Sequence, residues 1–368
     1  MSIVIKHLSF TYSANTPYEK RALKNVNLEI NDGDFLGIIG HTGSGKSTFI
    51  QHINGLIKPQ VGEVEIFNIK LTPEKRPKVN LRALRSKVGM VFQYPEYQLF
   101  ADTVEKDVAF GPKNLGLSSE EVAKRVKTAI EMVGLDYEAV KDRAPFELSG
   151  GQKRRVAIAG IIAMQPKVLI LDEPTAGLDP FGKEQILNLI KYLKTHCSPT
   201  IIVISHDIDE ITRFANRIVV FNEAQIAYDE PMHQLFKHSR QLQKMGLDIP
   251  RAVKVVNNLR ARGVDLGDDI VTAEDLLKAI IKRYNEKHST QIDENAGIFD
   301  MYDFSQKWLT SEEREKLGLL TKSVEEAPKE KTRLHRTSSK KIEKSDKKTK
   351  PHKSETVKKK TKVEEEEE

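Results

Sequence analysis

The amino-acid sequence predicts an α/β fold. Strand-like and helix-like stretches alternate through the first two thirds of the 368 residues, which is typical of helices layered on a sheet. Residues 35–40 form a continuous apolar strand that leads through a glycine-rich turn into a helical segment. Two further apolar runs, 168–174 and 201–206, are joined by a helical stretch and therefore predict parallel strands.

Other elements of the first half follow from the spacing of apolar side chains. Residues 3–12 and 26–30 are predicted to be short strands; in the second, apolar and polar side chains alternate, as in a half-buried strand. Residues 81–117 are less regular. Residues 119–133 are predicted to be a helix because their apolar side chains recur on one helical face, and residues 148–152 open another.

The last third of the chain contains a short helical region and a charged tail. Helices are predicted at 252–261 and 275–284, and Thr272-Ala-Glu-Asp275 resembles a capping box with Asp in place of Glu. From about residue 321 the chain is rich in Lys, Glu, Ser and Thr, and it ends in five glutamates. Such a segment buries too little apolar surface to offset its ordering entropy, so it is predicted to be disordered.

The net charge of +6 comes mostly from the tail. Residues 321–368 hold 16 Lys and Arg against 11 Asp and Glu, a net charge of +5, which leaves +1 for residues 1–320. A nucleic-acid-binding domain normally presents a basic face. The charge therefore gives no support for nucleic acid as a partner.

Cysteine content and hydropathy predict a chain with no disulfide and no membrane span of its own. Cys197 is the single cysteine, so an intramolecular disulfide is excluded and a cytoplasmic setting is expected. The first ten residues do not resemble a secretory signal. The longest apolar run, 156–164, is shorter than the roughly 18–20 residues that span a bilayer. Membrane association is expected to go through a partner.

A phosphate-binding loop is the first chemical motif. The segment Gly40-His-Thr-Gly-Ser-Gly-Lys-Ser47 matches the pattern G-x-x-x-x-G-K-[ST] between a strand and a helix. Backbone amides of such a loop and the helix N-terminus bind phosphate oxygens, while the lysine reaches the β- and γ-phosphates and the serine hydroxyl ligates Mg²⁺. The candidate nucleotide-binding residues here are Gly40, His41, Thr42, Gly43, Ser44, Gly45, Lys46, Ser47 and Thr48.

Two acids follow the apolar strand that begins at Val168. Asp172 and Glu173 are expected at the C-terminal edge of the sheet, where open α/β sheets bind ligands. We predict that Asp172 holds Mg²⁺ through water and that Glu173 polarises the attacking water. An acidic turn after a strand is the alternative when this motif is considered alone.

The pentapeptide Leu148-Ser-Gly-Gly-Gln152 resembles the signature motif of ABC-type ATPases. It stands about 20 residues before the acidic strand, in the order of that family. The resemblance implies that Ser149, Gly150, Gly151 and Gln152 meet the γ-phosphate of a nucleotide held by a second subunit. It also implies a RecA-like mixed-sheet core, an antiparallel β subdomain and a helical subdomain that carries the signature.

Four further positions match the ABC pattern in order. The resemblance implies that Tyr12 stacks on adenine, that Gln93 senses Mg²⁺ and couples to a membrane partner, and that His206 contacts the γ-phosphate. Asp179, in the segment Ala176–Asp179, matches the loop that crosses between subunits. The implied Mg²⁺ ligands are Ser47, Gln93 and Asp172, and the implied catalytic residues are Glu173 and His206. Because every motif is intact, we expect a competent ATPase.

Residues 92–100, FQYPEYQLF, narrow the resemblance to the ATPases of energy-coupling factor (ECF) transporters, the modular vitamin importers. The likeness extends from residue 1 to about 285 and is closest to the second of that family's two ATPases. It divides the chain into an ABC-type nucleotide-binding domain (1–248), a small helical C-terminal region (249–320) and the tail (321–368). Residues 249–285 look like the family's dimerisation region.

This resemblance implies a peripheral protein on the cytoplasmic face of the cell membrane that uses ATP and Mg²⁺. Its expected partners are a related ECF ATPase, a transmembrane coupling protein and, indirectly, exchangeable substrate-binding membrane subunits. Tyr94, Tyr97, Leu99 and Phe100 suit a groove for a partner's helix, with local core packing as the alternative. A cobalt or nickel importer ATPase, or a soluble ABC ATPase acting on nucleic acid, are the alternative functions. The sequence leaves open which vitamin or metal is transported and whether the ATPase pairs as a homodimer or a heterodimer. It also leaves open the roles of residues 285–320 and of the tail.

Overall fold

Two β-sheets form the frame of the molecule in the computed structural model, which describes residues 3–74, 79–196 and 200–288. The larger sheet has the strand order β10-β9-β3-β8-β7-β6, and the smaller has the order β2-β1-β4-β5. The strands are β1 Ile3–Tyr12, β2 Lys20–Ile30, β3 Phe35–Gly40, β4 Val61–Ile66, β5 Ile69–Leu71, β6 Val88–Val91, β7 Val168–Asp172, β8 Thr200–Ile204, β9 Arg217–Asn222 and β10 Gln225–Pro231.

The larger sheet is mixed, because five of its strands are parallel and β10 pairs antiparallel with β9. The predicted parallel pairing of the two apolar runs is confirmed: β7 and β8 align with Val168 opposite Thr200. Apolar side chains of β3, β7 and β8 are almost fully buried. Burial on both faces explains why these strands show no alternation.

The smaller sheet is antiparallel and contains the first predicted strand, β1. Strand β2 begins at Lys20 rather than at residue 26, and Lys20 is opposite Tyr12. The β1–β2 register shifts between Ile5 and Leu8 and again near Phe10. Such irregularities interrupt the period-2 pattern, which is why the first half of β2 was missed.

Helices cover the sheets. The helices that lie between β6 and β7 along the chain pack on one another as a separate layer. They are α1 Lys46–Ile53, α2 Leu81–Arg85, α3 Val104–Asn114, α4 Ser119–Met132, α5 Tyr137–Val140, α6 Gly150–Ile162, α7 Pro180–His196, α8 Ile208–Thr212, α9 Met232–Leu235, α10 Ser239–Lys244, α11 Arg251–Ala261 and α12 Ala273–His288, with 3₁₀ turns at Pro95–Gln98, Pro145–Glu147 and Phe236–His238. Residues 81–117 are more regular than predicted, since they hold β6 and α3. Gly111 and Pro112 inside α3 obscured the helical pattern.

The C-terminal helices α11 and α12 were predicted correctly, apart from a few residues at their ends. Thr272 and Asp275 form the predicted capping box: the Asp275 amide donates to Thr272 Oγ1 (3.1 Å), and the Thr272 amide donates to Asp275 Oδ2 (3.0 Å). Val253 of α11 packs in one buried cluster with Ile211 and Ile218 of the nucleotide-binding part. The boundary at residue 248 stays a prediction.

Several predicted features lie outside the described residues: Cys197, residues 289–320 and the tail 321–368. Among the residues that are described, no helix is both long enough and apolar enough to cross a bilayer.

Candidate functional site

The loop between β3 and α1 lies at the carboxyl edge of the larger sheet. Gly45, the residue before α1, has φ 109°, and an added Cβ would lie 2.4 Å from the Ala22 carbonyl oxygen. Only glycine allows β2 to approach the loop this closely. Among the described residues, no side chain caps α1, so the amides at its N-terminus are available for an anion.

Lys46 holds the loop closed on itself. Its Nζ donates to the carbonyl oxygens of Gly40 (2.6 Å) and His41 (2.8 Å). Burial lowers the pKa of Lys46, while the nearby carboxylates of Glu173 and Asp172 raise it. The ammonium group therefore sits between the loop and the two acids.

The remaining loop residues differ in exposure. His41, Thr42, Gly43 and Ser47 are exposed, whereas Ser44 and Thr48 are buried. The His41 ring is hydrogen-bonded to the carbonyl oxygen of Met245. Ser44 Oγ has no hydrogen-bond partner within the described part of the chain. A buried hydroxyl without a partner is costly, which indicates a ligand with polar atoms at this loop.

Strand β7 delivers the two predicted acids to the same edge. Burial, reinforced by Glu173, raises the pKa of Asp172 to about 6, and Lys46 only partly opposes the increase. Burial also raises the pKa of Glu173, although His206 and Lys46 oppose it. Titratable groups with perturbed pKa values cluster at functional sites, so Asp172 and Glu173 are candidates for such a site.

Glu173 has an unusual backbone conformation. Its φ is 50°, in the left-handed region, which a non-glycine residue occupies at a cost. The Glu173 amide donates to the Ile204 carbonyl oxygen of β8 at 2.9 Å. This bond aims the Glu173 side chain toward the turn after β8, where Oε2 is hydrogen-bonded to His206 Nδ1 at 2.8 Å.

Glu210, a buried glutamate that was not predicted from the sequence, is hydrogen-bonded to the turn after β7 and to the turn after β8. Glu210 accepts hydrogen bonds from Thr175 Oγ1 (2.6 Å) and Ser205 Oγ (3.3 Å), and from Lys183 Nζ (3.1 Å). Thr175 follows Glu173 by two residues and Ser205 precedes His206. Glu210 thereby fixes the two turns relative to each other. Its position four residues after His206 was the available signal.

Tyr12 and Lys20 approach the loop from the smaller sheet. Tyr12 is partly exposed, and its hydroxyl is hydrogen-bonded to Thr48 Oγ1 at 3.2 Å. Lys20 Nζ lies 3.7 Å from the position that a Cβ on Gly43 would take. Nothing in the sequence pattern indicated Lys20, because its place depends on the β1–β2 register.

The segment Ser149–Gln152 faces outward. Ser149 caps α6 by accepting from the Gln152 amide (3.3 Å), and Gln152 Oε1 accepts from the Ser149 amide (3.0 Å). An added Cβ on Gly150 or Gly151 would meet nothing within 4 Å. Across the described ranges, no hydrogen bond or ion pair joins Ser149–Gln152 to residues 40–48.

Gln93 and Asp179 are the two remaining predicted site residues. Gln93 follows β6 and is exposed. Asp179 is exposed just before α7, where Oδ1 accepts from the Gly182 amide at 2.6 Å. The structure therefore brings together Lys46, Asp172, Glu173 and His206, and it leaves the signature segment apart from them.

Comparisons with known proteins show the family to which the chain belongs. A family model described as "ABC transporter" matches residues 23–176. The energy-coupling factor transporter ATP-binding protein EcfA2 of Clostridium perfringens is 51% identical over 288 residues, which cover 77% of this chain and 100% of that protein. The chain belongs to the family of energy-coupling factor transporter ATP-binding proteins. The protein of the same name from Enterococcus faecalis is 45% identical over 286 residues, covering 78% of this chain and 98% of that protein.

Solved structures show the same fold as this ECF-family chain. The protein cbiO1 from Clostridium perfringens, part of the ABC transporter complex cbiONQ, superposes with a TM-score of 0.57 at 37% identity, covering 69% of this chain and 98% of that one. A dimeric ATP-binding cassette in a post-hydrolysis state with ADP and Pi superposes with a TM-score of 0.55 at 35% identity. The match covers 62% of this chain and 98% of that one. The predicted ABC ATPase fold is confirmed, and the chain is an ATP hydrolase of the ABC type.

Proposed function

We propose that this chain is the ATP-binding and hydrolysing subunit of an ECF importer that takes up vitamins or other micronutrients. The observation that carries the proposal is a relative of the ECF family matched over its full length, together with a cluster in which Lys46, Glu173 and His206 converge. The named relatives are transporter ATP-binding proteins. The chain supplies the ATPase, and the membrane path lies in other subunits.

ATP fits the loop at Gly40–Thr48. Within the described ranges, the amides at the start of α1 have no side-chain cap and the buried Ser44 hydroxyl has no hydrogen-bond partner. Lys46 is held by two carbonyl oxygens that a phosphate would replace. Tyr12 would meet the adenine ring from the smaller sheet. Ser47, Gln93 and Asp172 suit Mg²⁺, a hard cation that prefers oxygen ligands. When bound, Mg²⁺ would neutralise negative charge on the β- and γ-phosphate oxygens.

Glu173 and His206 are the groups proposed to act on the reacting atoms. A general base needs a pKa near the working pH, and burial shifts the pKa of Glu173 upward. Glu173 would orient and polarise the attacking water. His206, hydrogen-bonded to Glu173, would contact the γ-phosphate and hold the Glu173 carboxylate in place.

The signature segment provides the reason for a second subunit. Ser149, Gly150 and Gly151 are exposed at the uncovered N-terminus of α6. The capping box uses the amides of Ser149 and Gln152, so the amides of Gly150 and Gly151 remain to bind an anion. Within the described residues, no hydrogen bond or ion pair joins Ser149–Gln152 to residues 40–48 of the same chain. We propose that Ser149–Gln152 completes the site of a second ATPase, with Asp179 crossing the interface. The second subunit is a related ECF ATPase, and α11 and α12 contribute to the pairing.

A groove beside α3 and α6 is the proposed docking site for the transmembrane coupling protein. This groove, the α3–α6 groove, has a volume of about 560 Å³ and is lined mainly by apolar side chains, among them Phe92, Leu99, Phe100, Phe110 and Met164. Of the four residues predicted to form it, Leu99 and Phe100 line it, whereas Tyr94 and Tyr97 are exposed outside it. Docking here would hold the chain on the cytoplasmic face of the membrane.

Co-purification with membrane subunits tests the function. The full chain, tagged and isolated from membranes, should bring a second ATPase and a transmembrane protein with it. Deleting its gene should abolish uptake of at least one vitamin, and wild-type chain should restore that uptake whereas Lys46→Ala should not. Isolation without a transmembrane partner, together with intact vitamin uptake in the deletion strain, would overturn the proposal.

A further inference from the structure

Arg154 is a buried charge that the proposed reaction does not use. It lies in α6, two residues after the signature segment, and only 2% of its side chain is exposed. A buried guanidinium is stable only when its donors are paired. The partners of Arg154 therefore show what the burial of this charge achieves.

Those partners come from two other functional segments. Arg154 Nε and Nη2 donate to the two carboxylate oxygens of Glu96, each at 3.0 Å. Nη1 donates to the carbonyl oxygens of Pro174 (3.1 Å) and Ala176 (2.8 Å). Nη2 also lies 3.5 Å from the carbonyl oxygen of Gln93.

Each partner has a defined place in the site. Gln93 and Glu96 belong to the segment beside the α3–α6 groove, and Pro174 and Ala176 belong to the turn that follows Glu173. One planar side chain thus joins the signature helix, the groove segment and the catalytic turn. A bidentate arginine–carboxylate pair fixes orientation as well as distance, and lysine cannot reproduce that fork.

We propose that Arg154 is a positioning residue that makes these three segments move as one unit, so that docking at the groove is transmitted to Glu173 and to the signature helix. The inference rests on the proposed transport function. In the described part of the chain, no hydrogen bond or ion pair joins Arg154 to residues 40–48 or to the Glu173 carboxylate. Its loss should therefore lower turnover while leaving nucleotide affinity almost unchanged.

The test compares Arg154→Met and Arg154→Lys in the full assembled complex. We expect Arg154→Met to keep the Kd for ATP within about threefold and to lower kcat by about tenfold or more, which is the pattern of an interaction needed only during turnover. Arg154→Lys should recover part of kcat. Arg125→Met is the matched control, because Arg125 pairs with Glu121 at 2.6 Å within α4. Within the described residues, no hydrogen bond or ion pair joins the Arg125 side chain to any of the three segments.

A double variant guards against a simple folding defect. Arg154→Met alone leaves Glu96 without its cation, whereas Arg154→Met with Glu96→Met removes the pair together, which proteins often tolerate. The double variant should have a Tm close to that of the wild type and still show reduced kcat. Wild-type kcat in either Met variant, or a loss of kcat that follows the fraction unfolded, would overturn the proposal. Absence of ATPase and transport in the wild-type complex would instead contradict the proposed function.

Discussion

At the scale of single residues, the candidate site is a balance of buried charges. Lys46 faces Asp172 and Glu173, and His206 is hydrogen-bonded to Glu173. One cation cannot fully compensate two partly buried carboxylates, so both acids have raised pKa values. A divalent cation bound beside these acids would lower both pKa values, because its charge favours the ionised carboxylates.

Replacing Glu173 tests its proposed role directly. We expect Glu173→Gln to bind ATP normally and to trap a closed dimer, because the amide keeps the side-chain volume but cannot serve as a base. Hydrolysis should fall by about 10²-fold or more, measured as phosphate release from the assembled complex.

The control for this variant is Glu121→Gln, which removes a carboxylate that pairs with Arg125 within α4. Its hydrolysis rate should match that of the wild type. Normal turnover by Glu173→Gln would assign the role of base to another group.

Asp172 makes stability depend on pH in the nucleotide-free protein. Its folded-state pKa is raised from 3.8 to about 6, so the folded protein binds the proton more tightly than the unfolded chain does. The stabilisation from that proton is present below pH 4 and is lost as the pH rises through about 6. A two-unit shift corresponds to roughly 3 kcal/mol.

Asp172→Asn should therefore raise the free energy of unfolding at pH 8 by on the order of 2 kcal/mol, with a smaller gain at pH 5. Urea unfolding at both pH values measures the difference. A gain that is equal at the two pH values would show that ionisation of Asp172 is not its cause.

At the scale of elements, the two helices that begin at the proposed phosphate-binding segments differ in how they start. Helix α1 begins without a cap, whereas α6 begins with a reciprocal Ser149–Gln152 box. The box satisfies two backbone amides internally, so the serine hydroxyl is already oriented before any nucleotide arrives. Helices α3 and α6 then present the groove as a preformed surface.

If the α3–α6 groove binds the transmembrane partner, a substitution there should weaken partner binding without changing ATP affinity. Phe110 lies 52% exposed in α3, with its ring edge-to-face with Phe100 at 5.0 Å between centroids. Phe110→Ser should weaken co-purification of the transmembrane partner by about tenfold, because exposed aromatic anchors dominate such interfaces. ATP affinity should stay unchanged, as measured by titration of the isolated chain.

Tyr18→Ser is the matched control for Phe110→Ser. Tyr18 is 86% exposed on the β1–β2 loop and does not line the groove. It should leave the partner's recovery intact. Equal recovery of the partner with Phe110→Ser and with the wild type would exclude this side of the groove as the docking surface.

Local motifs could be predicted from the sequence, whereas contacts between distant segments could not. The strand–loop–helix at Gly40–Ser47 and the capping box at Thr272 depend on neighbouring residues, and both were found. The Arg154–Glu96 pair joins residues 58 positions apart, and Lys20 reaches Gly43 only through a shifted β1–β2 register. Such placements depend on packing, which a single sequence does not reveal.

At the scale of the whole molecule, charge is distributed unevenly. The 48 residues of 321–368 carry a net charge of +5, whereas the preceding 320 carry only +1. The EcfA2 relative from Clostridium perfringens matches over its entire length with 77% of this chain. The rest of this chain has no counterpart in that relative.

Removing residues 321–368 should leave kcat and the Kd for ATP within about twofold of the full chain. The reason is that the tail lacks the apolar residues needed to pack on the ATPase. Phosphate release and ATP titration of the full and shortened chains in the assembled complex measure the effect. A collapse of kcat on truncation would show that the tail is part of the working ATPase.

The outward-facing start of α6 has a consequence for the relative amounts in which the two ATPase subunits are made. Under the proposed function, a chain whose Ser149–Gln152 segment completes only another subunit's site remains idle when it is made in excess over its partner. Surplus copies would bind nucleotide without depleting the cell's ATP. Cells could then tolerate unequal synthesis of the two ATPases, and the scarcer subunit alone would set the number of active transporters.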